Sequence, residues 1–257
     1  MLNSKADWKS KVPQVTAFFW IIKVLSTTVG ETAADYLNQS LGLGLQGATL
    51  VMGVLFVVAL FFQLTAKRYV PWRYWLTVAL ISIVGTLITD NLSDRLHVPL
   101  ALSTTVFSII LVIVFVIWYL NERTLSIHSI FTPRRELFYW LAILFTFSLG
   151  TAGGDFMGEA LKLGYPIALS IFAAAILVIA LLYRGKVLGP VLSFWLVYIL
   201  TRPLGASLGD LMTQHEGGFG WGKGIVNLVF FVVIIGLVVY LGVSKVDQEK
   251  VDHESHA

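Results

Sequence analysis

Four times in this chain an aromatic residue and a tryptophan are followed, ten residues on, by a glycine, and five residues later by an aspartate. The pairs are Phe19-Trp20, Tyr74-Trp75, Tyr139-Trp140 and Phe194-Trp195; the glycines are Gly30, Gly85, Gly150 and Gly205; the aspartates are Asp35, Asp90, Asp155 and Asp210. A fixed period of this kind means that one supersecondary unit has been copied in tandem. Successive motifs lie 55, 65 and 55 residues apart, so the first pair of repeats maps onto the second by an offset of 120. Pro13 then falls on Pro133 and Gly44 on Gly164, which reads as two rounds of duplication.

Each unit is strongly apolar. The 257 residues are 57% hydrophobic and 13% charged, too little charge to coat a soluble domain of this size. Apolar runs near 20 residues recur along the chain, enough to cross a hydrocarbon core of about 30 Å. The expected fold is an all-α membrane protein of eight transmembrane helices. They form four parallel two-helix repeats related by pseudo-symmetry about the membrane normal. The expected spans are roughly 13–36, 45–66, 72–93, 98–120, 136–157, 166–183, 191–212 and 224–243, with Pro13 and Pro99 in first-turn positions. The repeats run approximately over 12–66, 67–121, 132–185 and 187–243, in one transmembrane domain, and 246–257 reads as a flexible tail. No cysteine is present, which removes thiolate metal sites and disulfides. The five histidines form no repeated pattern.

Lys and Arg set the expected orientation. The N-terminus, the even-to-odd loops and the C-terminus carry 13 of them; the odd-to-even turns carry only Arg95, Lys162 and Lys223. This bias predicts both termini in the cytoplasm. The first apolar run is too long for a signal-peptide core and reads as a retained span. All four motif aspartates then share one level toward the outside, drawn inward where the helix tilts or unwinds at the glycines.

Steps of four residues keep one helix face. The four stripes are Phe19, Lys23, Thr27, Glu31, Asp35; Tyr74, Val78, Ser82, Thr86, Asp90; Tyr139, Ile143, Phe147, Thr151, Asp155; and Phe194, Tyr198, Arg202, Ala206, Asp210. Ionised groups are costly in lipid and are expected to face the bundle interior. Glu31 and the four aspartates against Lys23 and Arg202 leave three negative charges in excess. Oxygen ligands without cysteine suit hard cations such as Mg²⁺ and Mn²⁺, or protons. Glu31, Asp35, Asp90, Asp155 and Asp210 are therefore the candidate ion ligands. Lys23, Arg202, Thr27, Thr86 and Thr151 are pathway or ion-pairing groups. The glycines read as close-packing positions, and Trp20, Trp75, Trp140 and Trp195 as interfacial anchors or packing wedges.

The opening run Lys11-Val12-Pro13-Gln14-Val15-Thr16, with Phe19-Trp20-Ile21-Ile22-Lys23 and Thr28-Val29-Gly30-Glu31-Thr32-Ala33-Ala34-Asp35-Tyr36, resembles the signature of a bacterial membrane-protein family defined by this fourfold repeat. The resemblance spans nearly the whole chain. It implies a multi-pass protein of the bacterial inner membrane; since the family is known as a repeat of unknown function, no catalytic residue can be carried over from it. The expected function is a secondary transporter or exporter of a small cation, not an enzyme, with no cofactor and no nucleic-acid partner. Its partners are the lipid bilayer and a cation or proton, with homo-oligomerisation left open. The alternative is a structural or sensory membrane protein in which the repeated aspartates cap helices. A remoter one is an intramembrane aspartyl protease, because Gly153-Gly154-Asp155 and Gly209-Asp210 carry a glycine–aspartate pairing.

Overall fold

The computed structural model describes residues 10–248. Most of the expected tail, with His253 and His256, lies outside the described residues, as do Lys5, Lys9 and Lys250 of the charge count. Within them the chain is helical, with no strand. Eight long helices follow in order: α1 (Ala17–Asp35), α2 (Gly44–Leu64), α3 (Pro71–Asp90), α4 (Leu100–Glu122), α5 (Pro133–Asp155), α6 (Tyr165–Arg184), α7 (Pro190–Thr213) and α8 (Lys223–Ser244). Seven of them are long and apolar enough to cross a membrane; α1, with Lys23, Glu31 and its run of hydroxyls, is not among the seven.

Local chemistry explains the ends. Pro71, Pro133 and Pro190 open α3, α5 and α7, where the missing N–H costs nothing. Thr16 starts α1 by accepting from Phe19 N at 3.4 Å. Pro13 therefore lies outside α1, and the expected start at residue 13 is four residues early. The reason is that residues 10–14 bond elsewhere: Lys11 N donates to Ile130 O (3.1 Å), Tyr69 N to Ser10 O (3.1 Å) and Gln14 N to Asp247 O (2.9 Å). Pro99 sits at the N-cap of α4, one residue ahead of the helix. Gly44 and Gly164, matched by the 120-residue offset, both take positive φ (68° and 78°), a backbone state glycine adopts at no steric cost.

The odd helices form the core. They touch in a closed ring, α1 to α3 to α5 to α7 and back to α1. Between 50 and 61% of the apolar windows of α3, α5 and α7 is buried, against 11 to 22% for the even helices, which form an outer, apolar shell. The even helices do not pack chiefly on their own partners. Each lies on the odd helix of the next repeat, α2 on α3, α4 on α5 and α6 on α7, and α8 closes the circle on α1.

The motif glycines are the crossing points of the ring. A Cβ placed at Gly30 would lie 2.7 Å from Ser82 Cβ, and one at Gly85 2.7 Å from Phe147 Cβ. One at Gly150 would lie 2.5 Å from Arg202 Cβ, and one at Gly205 2.7 Å from Thr27 Cβ. Each glycine thus receives the residue three positions before the next glycine, four times around the ring. Without a hydrophobic force between helices in lipid, close backbone approach of this kind drives association. Below the crossings the motif tryptophans wedge the ring apart: Trp75, Trp140 and Trp195 are buried and Trp20 is partly so.

At the wedge end the chain termini are tied down. Asp247, expected in the flexible tail, is instead buried. It accepts from Tyr69 Oη at 2.6 Å, and its backbone holds Gln14. Burial pushes its carboxyl above the usual range, with the Tyr69 and backbone hydrogen bonds offsetting part of the rise. Burial and the neighbouring Asp247 charge push the Tyr69 phenol up as well. Lys11, counted in sequence as a surface charge, is buried against Glu136 (2.7 Å), with Gln63 Nε2 donating to the same carboxylate at 3.0 Å.

Two outcomes follow from this packing. Gly85→Ala inserts a methyl against Phe147 and should cost about 1–3 kcal/mol by overpacking. Gly236→Ala, with nothing within 4 Å, should gain up to about 1 kcal/mol from helix propensity; thermal unfolding in detergent reads both. Because the Asp247 carboxyl is raised in the folded state, its contribution is fully present below the ordinary aspartate value and is lost as pH rises through the raised one. Hydrogen exchange at residues 10–16 should therefore speed up over that interval, and Asp247→Asn should abolish the dependence.

Candidate functional site

The ring brings the four stripes to one axis, and the layers can be followed along it. At the wedge end Phe19, Tyr74, Tyr139 and Phe194 meet. Tyr74 and Tyr139 share a hydroxyl hydrogen bond of 2.5 Å, and the rings of Phe19 and Phe194 stand 5.9 Å apart. One step up, Lys23 is fully buried. Its Nζ lies 4.0 Å from the Phe147 ring centre and 4.2 Å from that of Tyr198, with no hydrogen-bond acceptor. The two aromatic faces are the setting this amine is packed into, a cation–π geometry.

Next comes Arg202, also fully buried. Its Nη1 donates to Thr27 O (3.0 Å); its Nη2 donates to Glu31 Oε2 (3.1 Å), to Thr151 Oγ1 (2.7 Å) and to Thr86 Oγ1. Those partners come from α1, α3 and α5, so one side chain of α7 ties together all four odd helices. Pro203 follows Arg202 inside α7, where it removes a backbone donor. The gathering has a simple origin: Glu31, Thr86 and Thr151 hold one position in their repeats, a turn before the aspartate, and Arg202 lies one turn further back.

Beyond Arg202 lies the acid end. Glu31, Asp155 and Asp210, from α1, α5 and α7, each offer a carboxylate oxygen within 4.8 Å of the others, and Glu31 and Asp210 are buried. Asp35 is drawn off by Lys223, at the start of α8, at 2.5 Å, and Lys223 also donates to Gln39 at 2.8 Å. Asp90, half-buried on α3, stands outside the cluster. Of the five expected ligands, then, three converge, one is paired and one stands apart. Among the described residues the histidines join no such cluster.

None of the aspartates caps a helix. Asp35, Asp90 and Asp155 are each followed by a single π-helical turn, Tyr36–Ser40, Asn91–Arg95 and Phe156–Ala160, and make no side-chain cap bond. Asp210 lies within α7. The capping role weighed from sequence is therefore corrected: the helix runs on through the motif instead of ending there. π turns of this length occur often at functional sites. Asp94 and Glu159, within these turns, add further carboxylates to the acid end.

Sequence reasoning missed two partners. Lys223 was read as a loop charge, although as the first residue of α8 it meets α1 because α8 closes the ring. Glu136 was not singled out, and its place in the first turn of α5, after the motif's proline, was the available signal.

A closed ring of helices repeated four times, sheathed in apolar helices, is the make-up of a multi-pass helical membrane protein built from tandem repeats. The chain belongs to the family described as Repeat of Unknown Function (DUF347), which matches it four times, at residues 18–69, 73–124, 138–186 and 193–246. No curated protein and no solved structure matches it.

The Glu31–Arg202 pair should behave as a coupled unit. Removing one partner of a buried pair costs about 3–5 kcal/mol, whereas replacing both by apolar groups is often neutral. Glu31→Leu and Arg202→Met should each lower thermal stability strongly, and the double variant should recover most of the loss. Additive losses would mean that the pair is not coupled.

Proposed function

We propose that this protein is a secondary transporter or exporter of a small hard cation, bound by Glu31, Asp155 and Asp210. The observation that carries the reading is the convergence of three carboxylates from three different helices within 4.8 Å. Like charges gathered in a poorly solvated site repel unless a cation or protons join them, and acids inside a membrane bundle mark substrate and ion pathways. The ligand class is a divalent ion such as Mn²⁺ or Mg²⁺, whose chemistry favours oxygen donors. The chain carries no nucleotide-binding motif, so an ion gradient is the energy source that fits.

In this reading the odd helices are related by pseudo-symmetry about the membrane normal. The termini face the cytoplasm of the bacterial inner membrane, by the Lys and Arg bias. The acid end then faces outward. Arg202, Lys23 and the aromatic layer close the axis on the cytoplasmic side, so passage requires movement in the ring, for which the Pro203 break in α7 is the natural hinge. The structural alternative keeps one observation in its favour, the Arg202 network joining four helices.

Manganese flux into proteoliposomes at matched protein amounts separates the two. Glu31→Gln, Asp155→Asn and Asp210→Asn should each reduce flux tenfold or more, about 1.4 kcal/mol or greater in binding terms, with the fold retained. Asp35→Asn should have a smaller effect, because Lys223 already engages that carboxylate. Full flux in all three cluster variants would defeat cation transport through this site. Absence of flux in the unmodified protein, with stability loss in the variants, would favour the structural role.

A further inference from the structure

We propose that Arg202 sets the valence of the ion this site accepts, standing as a fixed positive charge that leaves two of the three clustered negative charges for a divalent cation. The inference rests on the cation reading above and adds a selecting residue to it.

Glu31 belongs to both arrangements. Its Oε2 accepts from Arg202 at 3.1 Å, while a Glu31 oxygen also lies within 4.8 Å of those of Asp155 and Asp210. A carboxylate has two oxygens and about four lone-pair sites, so it can hold the guanidinium on one side and an ion on the other. Hydrogen-bonded partners behind a ligating carboxylate orient it and tune its affinity. The cluster thus already holds a cation, and it is the protein's own.

That cation cannot withdraw easily. Arg202 is fully buried, its Cβ lies at the Gly150 crossing, and it is bonded to α1, α3 and α5. Its other acceptors are the neutral Thr27 carbonyl and the Thr86 and Thr151 hydroxyls, so Glu31 is the charged group it faces. Arginine keeps its charge at every accessible pH.

The remaining charges lie further off or are cancelled. Asp35 is matched by Lys223 at 2.5 Å. Lys23 precedes Glu31 by two helical turns, about 12 Å along the axis, and faces the rings of Phe147 and Tyr198. Asp90 is outside the cluster. Asp94 and Glu159 add carboxylates at the same end but stand outside the 4.8 Å cluster, so three carboxylates and one guanidinium are the groups that meet at the site itself. A charge within a few ångströms at an effective dielectric near 20 is worth several kcal/mol per unit charge of the ligand, and a trivalent ion feels it more than a divalent one.

The test compares MnCl₂ and TbCl₃, each alone, on the full chain in detergent at one pH. Manganese binding is read by electron paramagnetic resonance and terbium by luminescence. Arg202→Gln should move the ratio of the two dissociation constants toward terbium by about tenfold or more, and Arg202→Lys, which keeps the charge, should restore the original ratio. Asp155→Asn removes a negative charge and should move the ratio the other way, which keeps the test decisive where Arg202→Gln does not fold. An unchanged ratio in folded Arg202→Gln, an equal shift in Arg202→Lys, or an unchanged ratio in Asp155→Asn would overturn the role of Arg202 and leave the cation site standing. Binding of neither metal by the unmodified protein would instead sink the cation site itself.

Discussion

Four glycine crossings hold this structure together. Each removes a side chain where two odd helices meet, so the backbones approach until the neighbour's stripe residue lies against the glycine. This fixes the height of every odd helix relative to the next. Residues that share a position in the repeat then share a level on the axis, which is why Glu31, Thr86 and Thr151 meet at one guanidinium. A slip of one turn at any crossing would carry Arg202 past its acceptors.

Duplication supplied equivalent positions, and divergence made them complementary. One turn before the aspartate stand an acid, two threonines and an alanine; one turn earlier stand a threonine, a serine, a phenylalanine and an arginine. A symmetric ring of four arginines, or of four glutamates, would bury unmatched like charges at a cost of several kcal/mol each. A single arginine received by one glutamate, two hydroxyls and the Thr27 carbonyl engages both terminal nitrogens without repulsion. The aspartates changed least in identity but most in company: Asp35 found Lys223 once α8 folded back on α1, whereas Asp155 and Asp210 were left facing Glu31.

Much of this was legible in the sequence, because helix number, the motif and the stripes are local properties. The eight helices, the glycines as close-packing sites and the gathering of charged residues on an interior face all follow from period and hydropathy. The rest needed contacts between repeats. Lys11 and Lys223 look like surface charges when only their own loops are considered; both are buried or paired by helices over a hundred residues away. The start of α1 was misjudged because Pro13 resembles a first-turn proline, while Ser10, Lys11 and Gln14 are committed to hydrogen bonds with other segments. That three acids of five converge depends on side-chain reach and on Lys223, neither of which a spacing pattern encodes.

The hand-over of even helices to the following repeat bears on how such a chain arose. A two-repeat chain would end with an even helix that has no odd helix to lie on, and begin with an odd helix left bare. Each defect is the remedy for the other, but only between two molecules. The half-length ancestor implied by the 120-residue offset would therefore have been an obligate pair, each subunit lending its last helix to its partner. Fusion of the two genes would have turned that exchange between subunits into the clasp of α8 on α1, and freed one half to acquire an arginine without forcing a second on the other.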